Sequence, residues 1–150
     1  MYAETPLIRP LRAEDWPAWN GLWDAYLDFY AVALPRSVTE LTWRRVLDPA
    51  EPIHGLAAIN DGQLAGFALY VFHRSTWEEG HYCYLEDLFV APVVRRKNLG
   101  RGLIEAVRDK AKEAKAGRLY WTTRTDNSNA RSLYDRLAAE SGFVQYRMAL

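Results

Sequence analysis

The sequence predicts one mixed α/β domain, and three observations predict it. Apolar and aromatic residues recur at helical spacing in the first 50 residues, the pattern changes to strands around Asn60-Asp61-Gly62, and strand and helix signals then alternate to the C-terminus. At 150 residues the chain has the usual size of a single domain, 1–150, and can bury roughly two-thirds of its unfolded surface.

The elements follow in order. Ile8 to Leu11 is a short strand candidate. Glu14-Asp15-Trp16-Pro17 starts a helix, with proline placed where its missing donor does not matter. Trp16, Trp19, Leu22, Trp23, Tyr26, Leu27 and Tyr30 give that helix one broad aromatic face, fit either for a core or for a pocket wall. Ser37 and Glu40 form a capping box opening a second helix that ends before Asp48-Pro49, with Leu41, Val46 and Leu47 facing the core. Leu56 to Ile59 and Leu64 to Phe72 flank Asn60-Asp61-Gly62, the strongest hairpin signal in the chain. Ser75 to Gly80 is a polar loop, and His81 to Val90 is the next strand. A helix marked by Leu99, Leu103, Val107, Ala111 and Ala114 stops at Gly117. Leu119 to Thr123 is a buried-looking strand. A last helix carries Ala130, Leu133, Tyr134, Leu137 and Ala138, Gly142 is placed to cap it, and Phe143 to Met148 is a closing strand. The two strand-helix-strand crossovers imply locally parallel strands, and the hairpin implies an antiparallel part.

Composition narrows the function. Nineteen acidic residues balance nineteen basic ones, so no general attraction to nucleic acid or to an anionic membrane is expected. The longest apolar run, Leu64 to Phe72, is too short to span a bilayer. No charged-then-apolar leader is visible before Glu4, and a cytoplasmic address is expected. Cys83 is the single cysteine, which excludes an internal disulfide. His54, His73 and His81 show no paired ligand spacing, so no metal is expected, and no glycine-flanked serine nucleophile is present.

Any anion site must therefore be local, and one stretch offers it. From Val90 through Ala91-Pro92-Val93-Val94 to Arg95, Arg96, Lys97, Asn98, Leu99, Gly100, Arg101 and Gly102, a turn joins a strand to a helix. Such a turn exposes the helix's first N–H groups, which together with the helix dipole attract an anion. Gly100 and Gly102 admit close approach to the main chain, and Arg95, Arg96, Lys97 and Arg101 favour a pyrophosphate over a single carboxylate. A solvated basic helix start explains the same charges. Neither a Walker lysine-serine pair nor a dinucleotide-fold glycine spacing is present.

Arg95-Arg96-Lys97-Asn98-Leu99-Gly100 resembles the arginine-x-x-glycine-x-glycine signature of the GNAT superfamily of N-acetyltransferases. Asn98 replaces the first glycine, and asparagine tolerates the left-handed backbone region that such a turn needs. Tyr84-Leu85-Glu86-Asp87-Leu88-Phe89-Val90 resembles the family's fourth strand, and Asn127-Ser128-Asn129-Ala130-Arg131-Ser132-Leu133-Tyr134 its asparagine-to-tyrosine helix. The wording of these segments is most similar to the subgroup containing the yeast Hpa histone and D-amino-acid acetyltransferases. The resemblance implies a mostly antiparallel sheet of six to seven strands, helices on both faces, and a splayed fourth and fifth strand. It implies acetyl-coenzyme A as co-substrate, a primary amine as acceptor and a homodimer.

It also implies roles. Main-chain groups at Leu88, Phe89 and Val90 would pair with the pantetheine arm, residues 95 to 102 would hold the phosphates, and Asn127 would cap its helix or bond the same arm. Tyr134 would stand near the sulfur as general acid, with plain packing as the rival explanation. Glu86 is the candidate base, directly or through water, because a carboxylate amid Tyr84, Leu85, Leu88 and Phe89 can have its proton affinity raised by desolvation, with a plain carboxylate on the open face of a strand as the rival explanation. A regular strand points Asp87 to the opposite face, and a bulge would exchange the two. A non-catalytic acyl-coenzyme-binding module of the same fold is the alternative to an enzyme, and a nucleic-acid-binding domain is disfavoured by the charge balance.

Overall fold

The computed structural model describes residues 6–150, with side chains for all but residues 95–97. Strands β1 (Leu7–Pro10), β2 (Ile53–Asn60), β3 (Gln63–Ser75), β4 (Glu78–Val90) and β5 (Leu119–Tyr120) form one sheet in that spatial order. Every pairing is antiparallel except the parallel one between β4 and β5. Helices α1 (Trp16–Phe29) and α2 (Arg36–Leu47) lie on one face, and α3 (Leu99–Glu113) and α4 (Ser128–Leu137) on the other. With both faces covered, the middle of β2 and β3 is continuously buried, from Leu56 to Ala58 and from Ala65 to Tyr70.

The aromatic stripe of α1 divides along its length. Trp19 and Trp23 are buried with Trp43 of α2 against Phe67, ring centres 4.8 Å apart between Trp19 and Trp43. Trp23 Nε1 donates to Thr39 Oγ1 at 3.1 Å, whereas Trp19 Nε1 is buried without a hydrogen-bond partner among the described residues, so this end of the stripe is core. Tyr26 and Tyr30, one and two turns further on, are only half-buried and lead toward the C-terminal half of β4.

The hairpin turn forms as the sequence demands: Asp61 and Gly62 both take positive φ, 50° and 75°, between paired Asn60 and Gln63. That is the two-residue turn whose twist matches its strands.

Several boundaries differ from expectation, for local reasons. Proline fixes Pro35 at φ −55°, and its carbonyl accepts from Val38 N, so α2 begins at Arg36 with Ser37 inside it and no side-chain cap. The polar stretch after Ser75 is mostly strand, with Ser75 paired to Glu78 across a tight turn. Strand β5 keeps only Leu119 and Tyr120 of the expected five residues, because its ladder to β4 ends there. Helix α4 ends at Leu137, so Gly142, at φ 80°, lies beyond its cap.

The sheet has five strands rather than six to seven. The missing member is the closing strand at Phe143 to Met148, which pairs with no strand among the described residues. Phe143, Val144, Tyr146, Met148 and Leu150 are all more than three-quarters exposed. Alternating apolar residues state a preference for a pleated, half-buried site, and within one chain this segment meets no such site. The second expected crossover, from β5 through α4, therefore returns to no strand, while the first, from β4 through α3 to β5, is parallel as expected.

Candidate active site

The ladder between β4 and β5 covers only Cys83–Leu119 and Tyr84–Tyr120. Beyond Tyr84, strand β4 continues to Val90 against β3 alone as partner strand, so the two strands part and a fork opens in the sheet. Leu88 is half-buried on this stretch, and Phe89 and Val90 are buried. Tyr84 and Tyr120 stack at 4.9 Å at the crotch of the fork. Tyr120 is held there by His73, whose Nε2 lies 2.7 Å from the hydroxyl while Nδ1 faces the Arg74 carbonyl at 2.7 Å. The tautomer protonated at Nδ1 satisfies both contacts, with the Tyr120 hydroxyl donating.

A bulge decides the fate of the two carboxylates. Leu69 pairs with Asp87 and the next residue, Tyr70, with Leu85, so Glu86 is the extra residue. Leu85 and Leu88 consequently pack on the α3 side, whereas Asp87 joins Phe89 on the α1 side. Glu86 projects, exposed, and Asp87 is half-buried beneath α1. The Tyr26 hydroxyl donates to Asp87 Oδ1 at 2.8 Å. Burial pushes the Asp87 pKa up to about 7, the Tyr26 hydrogen bond opposes the rise, and the Glu86 charge adds to it. Burial, then the Asp87 charge, holds the Tyr26 phenol far above its ordinary range, so it remains a donor.

On the α3 side of the sheet, Tyr134 of α4 is half-buried, its ring edge-on to Trp121 at 5.5 Å. Burial, reinforced by the nearby Tyr30 hydroxyl from the end of α1, pushes its pKa up to about 12. Cys83, fully buried beside the fork, has its thiol pushed up to about 12 by burial alone and is no ready nucleophile.

The anion end is built by the backbone. Asn98 takes φ 59° and ψ 24°, the left-handed conformation the signature requires there, and occupies the N-cap position of α3. The first intrahelical bond runs from Gly102 N to the Asn98 carbonyl, so the N–H groups of Leu99, Gly100 and Arg101 precede the ladder. A Cβ on Gly100 would meet only Leu133 at 3.6 Å and Val90 at 3.9 Å, ordinary contact distances. The protein's own packing thus does not require glycine there. The absent side chain leaves the helix mouth open to a ligand, which fits a phosphate-bearing coenzyme.

Other predicted residues are placed differently. Arg101 is exposed and pairs along its helix with Glu105 at 2.8 Å. Asn127 stands at the N-cap of α4 without a capping bond, its amide nitrogen donating instead to Thr123 Oγ1 at 3.0 Å. The side chains of Arg95, Arg96 and Lys97 lie outside the described residues. Among those described, no group of His, Cys, Asp and Glu could hold a metal ion, and no helix is long and apolar enough to cross a membrane.

The acetyltransferase (GNAT) family model matches residues 14–139. The chain belongs to this family. It is accordingly an acyltransferase. It is similar to the D-amino-acid N-acetyltransferase HPA3 of Saccharomyces cerevisiae, 33% identical over 94% of this chain and 89% of that one. It is also similar to the thialysine N-epsilon-acetyltransferase of Caenorhabditis elegans, 34% identical over 64% of this chain and 62% of that one. The solved structure of AAC(6')-Iy with the bisubstrate analogue CoA-S-monomethyl-acetylneamine shares the GNAT fold at TM-score 0.81 and 20% identity, covering 98% of this chain and all of that one.

Two residues of the site were not singled out by the sequence. Tyr26 and Tyr30 lay within an aromatic stripe whose core and pocket members carry the same periodic signal. Asp87 was named, but only behind Glu86, because a bulge of one residue leaves no signature in the amino acids themselves.

Proposed function

We propose that this GNAT enzyme transfers an acetyl group from acetyl-coenzyme A directly to the primary amine of a small acceptor of the amino-acid or polyamine class, or of a lysine. One observation carries the reading. Where β4 and β5 part, the half-buried Asp87 carboxylate, held by the Tyr26 hydroxyl, stands on one side of the sheet and the half-buried Tyr134 phenol on the other, burial raising the proton affinity of both. The coenzyme supplies an electrophilic thioester. The open mouth of α3 and the main chain of Leu88 to Val90 would hold it, with Asn127 beside the arm and residues 95–97 near the phosphates.

In this reading Asp87 takes over from Glu86 as the base. It accepts a proton from the acceptor ammonium, freeing the nitrogen lone pair to attack the acetyl carbon. As the carbon–sulfur bond breaks, nitrogen loses its second proton, Tyr134 hydrogen-bonds the departing sulfur, and that sulfur leaves as the free thiol while the proton held by Asp87 returns to solvent. Glu86, exposed beside Asp87, adds negative charge that attracts a cationic acceptor. The inert Cys83 thiol favours direct transfer over an acyl-cysteine intermediate. D-amino-acid and thialysine acetylation by the relatives supports the acceptor class.

Free thiol released from acetyl-coenzyme A across a panel of D- and L-amino acids, thialysine and polyamines tests this. Turnover with at least one is expected. Tight coenzyme binding without thiol release from any of them would point instead to a binding module.

The exposed apolar C-terminal segment supports a homodimer, since a second copy would cover it. Sedimentation equilibrium is expected to give twice the chain mass, and the monomer mass would exclude the pairing. A free, buried Cys83 suits a reducing cytoplasm.

The left-handed Asn98 supports its own prediction. Asn98→Gly should keep coenzyme affinity, whereas Asn98→Val should lose about 1–2 kcal/mol of stability and bind the coenzyme more weakly. Calorimetric titration and thermal melting read both, and equal binding by the two variants would remove the turn from the ligand site.

A further inference from the structure

We infer that Tyr26 is a positioning residue for the catalytic carboxylate: its hydroxyl fixes Asp87 Oδ1 from the opposite element of the fold and leaves Oδ2 to meet the acceptor amine. The inference rests on Asp87 serving as the base. It deepens that reading by assigning a task to α1, whose matching residues the coenzyme signature does not include.

Three features of the geometry carry it. The bond is short, 2.8 Å, and spans 61 residues, so it ties α1 to the bulged part of β4 rather than satisfying a local turn. The Tyr26 ring is clamped by Trp23 at 5.4 Å and by Phe67 and Phe89, each at 5.9 Å, so the donor has little freedom to move away. Asp87 Oδ2 has no hydrogen bond among the described residues, so one oxygen is anchored and the other is available.

A carboxylate on a bulged strand is otherwise poorly aimed, because the pleat that would orient it is interrupted at Glu86. A fixed oxygen restores the aim at the cost of one hydroxyl. The hydrogen bond also limits how far burial can raise the proton affinity of Asp87, keeping a useful fraction ionised near neutral pH. The titratable groups facing Asp87 are Glu86 on its own strand and Tyr26 on α1. Tyr30, with its ring 5.2 Å from that of Tyr26, comes next, and β3 presents Leu64, Phe67 and Leu69 on that side.

Helical spacing gives the arrangement a second consequence. Tyr26 and Tyr30 are four residues apart and lie on one stripe of α1. One reaches the carboxylate and the other lies near Tyr134, so a single helix end is in register with both sides of the fork.

Tyr26→Phe in the full chain tests the inference, since it keeps the clamped ring and removes only the donor. Initial rates of thiol release would be followed from pH 5.5 to 9.5. The acidic limb of kcat/KM is expected to move up by about one pH unit, a tenfold rise in proton affinity. Turnover lost at pH 6.5 should recover to within a few-fold of the parent at pH 9, with the KM for acetyl-coenzyme A unchanged. A carbon-13 titration of the Asp87 carboxylate should show the same displacement without relying on turnover. A limb and a carboxylate titration that both stay put would overturn the role of Tyr26, whether or not turnover falls. Asp87→Asn separates the two layers. If it abolishes turnover while the Tyr26→Phe limb stays fixed, only the positioning role falls. If it leaves turnover at the parental level, the base assignment falls with it.

Discussion

Asp87→Asn is expected to lower kcat by about 10²- to 10⁴-fold at pH 7.5, the range over which a positioned base contributes. Asparagine keeps an oxygen to accept from Tyr26 and nearly the same volume, so the loss isolates proton transfer. The sign of the pH dependence follows from a pKa held near 7 by burial. The parent's kcat/KM should rise with pH through about 7 as the carboxylate ionises, and the variant should lack that limb. Retention of the parental rate, or of the limb, would show that another group accepts the proton, with Glu86 next in line.

Stability moves the opposite way, which guards against mistaking unfolding for lost chemistry. The folded-state pKa lies above the ordinary carboxylate value of 3.8, so the folded chain holds its proton more tightly than the unfolded chain. Ionising Asp87 therefore costs the fold increasing stability as pH rises from about 4 to about 7, and nothing below that window. Asp87→Asn should melt at the same temperature as the parent in acid and at an equal or higher temperature at pH 8. A destabilising charge kept where the proposed chemistry would need it is the usual conflict between stability and function.

How much of this was legible in the amino acids differs by element. The hairpin was, because Asp61-Gly62 is chemistry that only one kind of turn accepts. So was the left-handed bend at Asn98, where the side chain's tolerance and the signature's demand coincide. The five-residue strand after Leu119 was not, since its length depends on how far β4 offers a partner, and β4 turns to its bulge instead. The C-terminal strand failed for a related reason: Phe143 to Met148 carry the right alternation, yet alternation is silent about which edge is within reach.

The candidate site divides along the same line. The left-handed turn at Asn98 and the helix that opens behind it could be placed from sequence because local conformation suffices. Glu86 stood ahead of Asp87 in the sequence, because what separates the two, one inserted residue and a tyrosine 61 positions away, leaves no mark on the local amino acids. Tyr134 was placed by its motif, while the reason its hydroxyl stays protonated, burial beside Tyr30, is a tertiary fact.

Tyr134→Phe is expected to lower kcat by about 10- to 100-fold, at or below the low end of general-acid effects. The modest size has a physical cause. A phenol near pKa 12 is a weak acid beside an ordinary thiol of about 8.5, so complete proton transfer would be uphill, and the hydroxyl acts chiefly by hydrogen bonding to the departing sulfur. Phenylalanine preserves the edge-on contact with Trp121, so the KM for acetyl-coenzyme A should stay within about twofold and the acidic limb, which the proposed mechanism assigns to Asp87, should remain near pH 7. Steady-state rates against pH for the parent and the variant decide the matter. A parallel rise in KM, or a shifted acidic limb, would mean that Tyr134 shapes the cleft and does not serve the sulfur.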